Sequence, residues 1–263
     1  QGAGHSVVGG KQIDFEQFDV FNFPSMQTYI HVNDTDQIQV RLTYTNAPLL
    51  EKMNVHIVEE DPQADVQIVG EEKEKEREIA EDDPRRKSPY GTFELTDDGA
   101  WLMPYEILIA PESIESHALH WPWKKVKAEL DKLTALGSDY VGRRLYLLWN
   151  PMTGRTNGTT PNFFATITIR PPGIVDKPHR HVSAAMNYIF QGEGRSTVEG
   201  KVYEWQSGDL LLTAPGWGVH NHASTGTDPI YELTIQDQPL NIVMESLLWQ
   251  EDLKKPWSVL GVR

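Results

Sequence analysis

The chain has 263 residues, with 24 Lys plus Arg against 38 Asp plus Glu, nine His and no Cys, for a formal charge of -14. The length supports one large domain or two small ones, and the negative field argues against nucleic acid or an anionic membrane surface as partner. The missing cysteines exclude disulfides, thiolate metal sites and Cys nucleophiles, so any metal site must be built from His and carboxylates.

In chain order, residues 28–32, 38–44 and 54–58 are β-favouring runs separated by turn residues. The middle run alternates, placing Ile38, Val40, Leu42 and Tyr44 on one face, the pattern of a half-buried strand. Residues 71–87 form a charged tract of eight acids and six bases with few apolar anchors, read as a solvated loop or short surface helix. Pro122 suits a first helical turn, Val126, Leu130, Leu133 and Leu136 follow at helical spacing, and Gly137 offers a stop. This predicts an amphipathic helix covering a sheet.

From residue 144 onward the pattern turns to short strands: 144–149, 162–170, 184–190, 196–198, 201–205, 210–214 and 230–235, with a loop at 152–161. Glu199-Gly200 is a two-residue hairpin signal. Such spacing predicts an antiparallel barrel or sandwich. The expected division is a strand-rich N-terminal region at 1–117 and a second domain at 118–263. No apolar run is long enough to span a bilayer, and Gln1-Gly2-Ala3-Gly4-His5 does not read as a secretory signal, so a cytoplasmic protein is expected.

His179 and His181 lie two residues apart, so on a strand both imidazoles share a face, roughly 6.5–7 Å apart along the chain. His220 follows after three further turns, a separation that can return the chain to the same barrel interior. Three neutral imidazoles suit Fe(II), Zn, Mn, Ni or Cu and leave coordination positions for substrate and for oxygen or water.

Gly173, His179-Arg180-His181 and Gly192 resemble the first signature of the cupin superfamily; Gly208, Pro215 and His220 resemble the second, with one extra residue before the proline. The resemblance implies an all-β cupin fold, a double-stranded β-helix or jelly-roll barrel with a few helices packed outside. Where that pattern carries a glutamate this chain has Ala185 and Met186, leaving an all-imidazole site that keeps the full charge of the ion. Residues 179–186, Gly192-Glu193-Gly194, 208–213 and 217–222, with His120-Trp121-Pro122-Trp123 and Arg143-Arg144 upstream, are similar to gentisate 1,2-dioxygenase and its relatives acting on salicylate and hydroxynaphthoate.

That resemblance implies Fe(II)-dependent oxidative ring cleavage with O2 and a small aromatic substrate, in a homo-oligomer (dimer or tetramer), with no nucleic acid and no membrane partner. Mn, Zn or Ni are the alternative ions. His222 matches a family histidine that handles protons. The family arginine that grips a substrate carboxylate is Asn187 here, and the aspartate near the end of the barrel aligns with Thr234, with Glu232 and Asp237 nearby. Asn cannot reproduce an Arg–carboxylate fork, so the expected substrate is a hydroquinone-like, salicylate-like or aminophenol ring other than gentisate, or a carboxylate held by Arg143 or Arg144. Phe164, Thr168 and Trp217 are the remaining expected substrate-binding residues. Competing readings are a metal-dependent isomerase, hydrolase or decarboxylase that does not use O2, and a non-catalytic small-molecule binder.

Overall fold

The computed structural model describes residues 1–62, 91–105, 114–137, 143–213 and 216–262; the charged tract at 71–87 and Pro215 fall outside the described residues. The chain forms two compact units, one of residues 1–58 with 117–263 and one of residues 59–116.

The first unit opens with β1 (Gly4–Val8), β2 (Lys11–Phe15), β3 (Val20–Phe21) and β4 (Tyr29–Val32), then a short helix, α1 (Ala47–Lys52). β1 lies between β2 and β4 in one antiparallel sheet. The second unit contributes a small ladder of β5 (Phe93–Glu94) with β6 (Trp101–Leu102). Back in the first unit, β7 (His120–Trp121) pairs with β3. The Asp19 carboxylate accepts from His120 Nε2 at 2.8 Å and from the backbone N–H of Trp123 at 2.7 Å, binding the N-terminal segment to the start of the next helix.

That helix, α2 (Trp123–Ala135), has Pro122 at its N-cap and Gly137 just past its C-terminus at φ +68°, the left-handed turn that favours glycine. Leu130 is fully buried, and Val126 and Leu133 pack beside it on one side of a five-stranded antiparallel sheet. The strands are β8 (Leu145–Leu147), β9 (Phe164–Arg170), β11 (Ala185–Gln191), β14 (Leu210–Thr213) and β16 (Ile230–Gln236), ordered β14-β11-β16-β9-β8. β10 (Arg180–His181) lies between β9 and β11 in sequence but pairs elsewhere.

Alternation splits this sheet cleanly. Ala165, Ile167, Ile169, Phe190, Tyr231, Leu233 and Ile235 pack under α2, with Tyr188 against the same cluster. The alternate positions Thr166, Asn187 and Thr234 align in register across β9, β11 and β16 on the other face. That face looks into the barrel.

Across the barrel run β12 (Glu193–Val198), β13 (Lys201–Gln206) and β15 (His220–Ser224), ordered β13-β12-β15. The β12–β13 hairpin turns on Glu199 and Gly200 at φ +47° and +77°, the two positive angles that a type I′ turn needs. β15 continues through backbone pairing with residues 174–179 toward β10, which pairs with β17 (Leu248–Gln250) and then β18 (Ser258–Val259). A final helix, α3 (Gln238–Val243), separates β16 from β17. Ile189, Trp205 and Ile230 form an apolar plug within this barrel.

Two of the expected strands do not form. Residues 38–44 form no strand, and Ile38, Val40 and Leu42 are 75%, 56% and 44% exposed. Val40 exchanges two backbone hydrogen bonds with Gln1, at 2.8 and 3.0 Å, and only Tyr44 finds a packed partner, Phe163 at 4.7 Å between ring centroids. Alternation says which side chains share a face, but another layer must cover that face, and among the described residues none does. The run at 54–58 likewise forms no strand, and Val55, Ile57 and Val58 are exposed.

Because Leu130 is the fully buried contact of α2, Leu130→Ala should cost about 2–5 kcal/mol in denaturant unfolding. Metal stoichiometry should stay unchanged, since the cluster under α2 lies on the face of the sheet turned away from the histidines.

Candidate metal centre

His179, His181 and His220 each offer one ring nitrogen, and the three nitrogens lie within 4.8 Å of one another. Two features of the fold bring them together. His179 and His181 alternate to the same face of one extended segment, while His179 and His220 face each other across an antiparallel bridge closed by backbone hydrogen bonds of 3.0 and 2.9 Å. Imidazoles on one ion at about 2.0–2.1 Å bonds sit roughly 3–4 Å apart, so only small ring movements separate this arrangement from ligation.

Each ring is oriented by a backbone carbonyl two residues away. Nδ1 of His179 meets the Lys177 carbonyl at 3.0 Å, Nδ1 of His220 the Gly218 carbonyl at 3.0 Å and Nδ1 of His181 the Ser183 carbonyl at 2.8 Å. A carbonyl only accepts, so Nδ1 carries the proton and the Nε2 lone pair is left for an ion. Burial lowers the His181 pKa to about 4 and the His220 pKa to about 3, the neighbouring imidazoles pushing the same way. Both rings are therefore neutral at pH 7, the form a metal requires. The donor set fits a divalent transition metal, and no carboxylate joins the cluster among the described residues.

Trp249 forms one wall. Register places it opposite His181, and its indole lies at 5.1 Å and 14° to that imidazole. Its Nε1–H donates to Glu251 at 3.0 Å, and Arg143 Nη2 bridges both oxygens of the same carboxylate at 2.7 Å, with its guanidinium 5.5 Å from the Trp249 ring centroid. Arg143 thus comes close to the ligands, but already engaged. Arg144 reaches the Gly137 carbonyl at 2.8 Å. Trp217 stacks on the Arg180 guanidinium at 4.5 Å, and Arg180 alternates between the two ligands.

A buried polar network lies inside the barrel. Arg170 donates to Glu232 and to Asp176, both at 2.9 Å. Glu232 also accepts from Asn187 Nδ2, whose amide donates to Thr234 at 3.2 Å and accepts from Thr213 at 2.9 Å. Burial pushes the Glu232 carboxyl up, but Arg170, His222 and Asn187 outweigh it and hold the pKa below its usual value. His222 is buried with Nδ1 2.7 Å from the Ser196 hydroxyl, which accepts from Trp205 Nε1 at 2.8 Å. Burial lowers the His222 pKa; the Glu232 carboxylate opposes that and Arg170 reinforces it.

Of the residues expected from sequence, the three ligand histidines converge. Asn187 and Thr168 share the inner face of the sheet, aligned with Thr234 and Glu232 respectively, and Phe164 opens the same stripe on β9. Arg170 was missed, although continuing the Phe164, Thr166, Thr168 alternation by one step reaches it. Trp249 and Glu251 carry no local signal, because only the β10–β17 pairing brings them to the site.

His220→Ala should abolish binding of one metal equivalent, read by metal analysis after dialysis; retention of that equivalent would refute the ligand set. The depressed histidine pKa values also set a pH window. Below pH 6.5 the unfolded chain takes up protons at His181 and His220 that the folded, metal-free protein accepts only near pH 4 and 3. Stability of the metal-free protein should therefore fall as pH drops from about 6.5 toward 4, seen as a declining urea midpoint, and His181→Asn should flatten that decline.

Residues 165–235 match the family model of the cupin domain. The chain is 32% identical over 138 residues to 5-nitrosalicylic acid 1,2-dioxygenase of Bradyrhizobium sp, covering 50% of this chain and 65% of that protein. It is 30% identical over 158 residues to gentisate 1,2 dioxygenase 1 of Aquipseudomonas alcaligenes, covering 59% of this chain and 45% of that one. In both cases it spans less than two thirds of the relative's length. A salicylate 1,2-dioxygenase structure from Pseudoaminobacter salicylatoxidans, solved with gentisate, superposes on 100% of this chain and 65% of its own, with a TM-score of 0.65 at 16% identity, a likeness of fold. The chain therefore has the cupin fold, carries a cupin domain at residues 165–235, and resembles the gentisate and salicylate ring-cleaving dioxygenases.

Proposed function

We propose that this protein is an Fe(II)-dependent dioxygenase that adds both atoms of O2 to a hydroxylated aromatic ring and opens it. The observation that carries this reading is the cluster of three imidazoles, each with Nδ1 held by a backbone carbonyl, in a chain similar to ring-cleaving dioxygenases. A three-histidine set leaves coordination positions open for substrate oxygens and O2. Bound iron supplies a path for electron density from the ring to oxygen, which redox-inert zinc does not.

The chain's own residues do the rest. His179, His181 and His220 hold the ion, and Trp249 limits the approach to it on the His181 side. With the indole of Trp205 donating to the Ser196 hydroxyl, that hydroxyl's hydrogen goes to Nδ1 of His222, so neutral His222 carries its proton on Nε2. That Nε2–H is the hydrogen-bond donor His222 offers to a substrate or oxygen atom, its Nδ1 lone pair being taken up by Ser196. The inner face of the five-stranded sheet presents Thr166, Thr168, Asn187 and Thr234, polar but uncharged, so it orients ring hydroxyls by hydrogen bonding. Its one cation, Arg170, is held by two carboxylates and does not grip an anionic substituent. The favoured substrates are hydroxylated aromatics such as hydroquinones and aminophenols rather than gentisate.

Anaerobic loading with Fe(II), followed by O2 uptake with hydroquinone, 2-aminophenol, salicylate and gentisate, tests the reading. The expected result is one O2 consumed per ring opened with at least one of the first two. No uptake with any of the four sinks it. His222→Ala should lower kcat by about 10²–10⁴ while iron stoichiometry stays at one; full activity in that variant would remove His222 from the reaction.

A further inference from the structure

We propose that Trp249 is a specificity-determining residue, a fixed wall beside the histidine cluster that admits single aromatic rings and excludes fused two-ring ligands. This rests on the reading that the cluster binds an aromatic ring beside a metal.

The indole packs on two of the three histidines. Its ring lies 5.1 Å and 14° from His181 and 6.0 Å and 34° from His179, and among the described residues no other Phe, Tyr or Trp ring packs on the cluster. Directly opposed residues of an antiparallel pair share a face, so Trp249, opposite His181, stands on the face that carries the ligands. An ion held by these imidazoles at about 2.0–2.1 Å brings its other ligands up to the same wall. His181 is 1% exposed, Trp249 is half-buried, and Glu251, which the indole Nε1–H reaches at 3.0 Å, is 59% exposed. The indole therefore runs from a buried ligand to the solvent-exposed rim.

Main chain and side chain both hold it there. β17 is paired along both edges, with Trp249 opposite His181 on one side and Ser258 on the other. The next residue, Gln250, is buried and accepts from Arg180 Nε at 2.6 Å. The hydrogen bond to Glu251 fixes the angle of the indole, and the Arg143 guanidinium lies over its ring at 5.5 Å. Fitting a larger group against such a packed wall forces side chains off their rotamers or shifts the backbone, and either weakens binding. With its ring already stacked on His181, Trp249 offers a ligand bulk rather than an open face. A second fused ring adds carbons that must find room against that bulk.

The test uses the full chain loaded with redox-inert Zn(II), and isothermal titration with catechol and 2,3-dihydroxynaphthalene. These ligands present the same pair of adjacent hydroxyls and differ by one fused ring. The unaltered protein should favour catechol. Trp249→Ala should tighten the naphthalene about tenfold or more relative to catechol, the lower end of what pocket shape discriminates, with one zinc retained. Trp249→Phe, which keeps a stacked ring but a smaller one, should give an intermediate ratio. The same shift for both ligands, a ratio that moves toward catechol, loss of zinc from both variants, or no binding of either ligand would each overturn the proposal. Because no oxygen is consumed here, a protein that behaves as expected yet fails the O2-uptake assay refutes the dioxygenase reading and leaves the role of Trp249 standing.

Discussion

The antiparallel bridge between His179 and His220 is the constraint from which the site follows. Two backbone hydrogen bonds, 3.0 and 2.9 Å, join a segment before β10 to the first residue of β15, and so bring ligands from distant parts of the chain face to face. The same backbone supplies the carbonyls that hold the rings: Lys177 and Gly218 each lie two residues before their histidine, and Ser183 lies two after His181. Orientation by neutral carbonyls rather than carboxylates leaves the ligand set uncharged, so a bound divalent ion keeps its charge for oxygen ligands.

The five-stranded sheet serves two purposes at once because its side chains alternate. One face lies under α2 and is apolar; the other faces the barrel and carries Arg170, Glu232 and Asn187. A buried ion pair of this kind rarely adds net stability over apolar packing, yet removing one partner strands the other charge at a cost of about 3–5 kcal/mol. Its clearest consequence is chemical. With Glu232 and Asp176 both on Arg170, the interior is polar but electrostatically closed.

Local periodicity made part of this legible. The two-residue spacing of His179 and His181, the Glu199-Gly200 hairpin and the helical spacing of Val126, Leu130 and Leu133 each reflect geometry along a single element, and each is present in the fold. Asn187 in place of arginine was also readable, but its surroundings were not: register sets it opposite Thr234, and its amide donates to both Thr234 and Glu232. Alternation at residues 38–44 was read as half-burial and is instead exposed, since alternation along a strand does not specify what lies above it.

The sequence by itself determined the composition of the site: with no cysteine and histidines at 179, 181, 220 and 222, an imidazole centre on β-structure was the available chemistry. Only the tertiary structure decided which groups surround it. Trp249 over His181, Glu251 on Arg143 and Arg170 between two carboxylates all depend on strand pairings between distant segments. The reason is physical: backbone geometry fixes where a side chain points on its own strand, whereas its neighbours are chosen by the register and closure of the whole barrel.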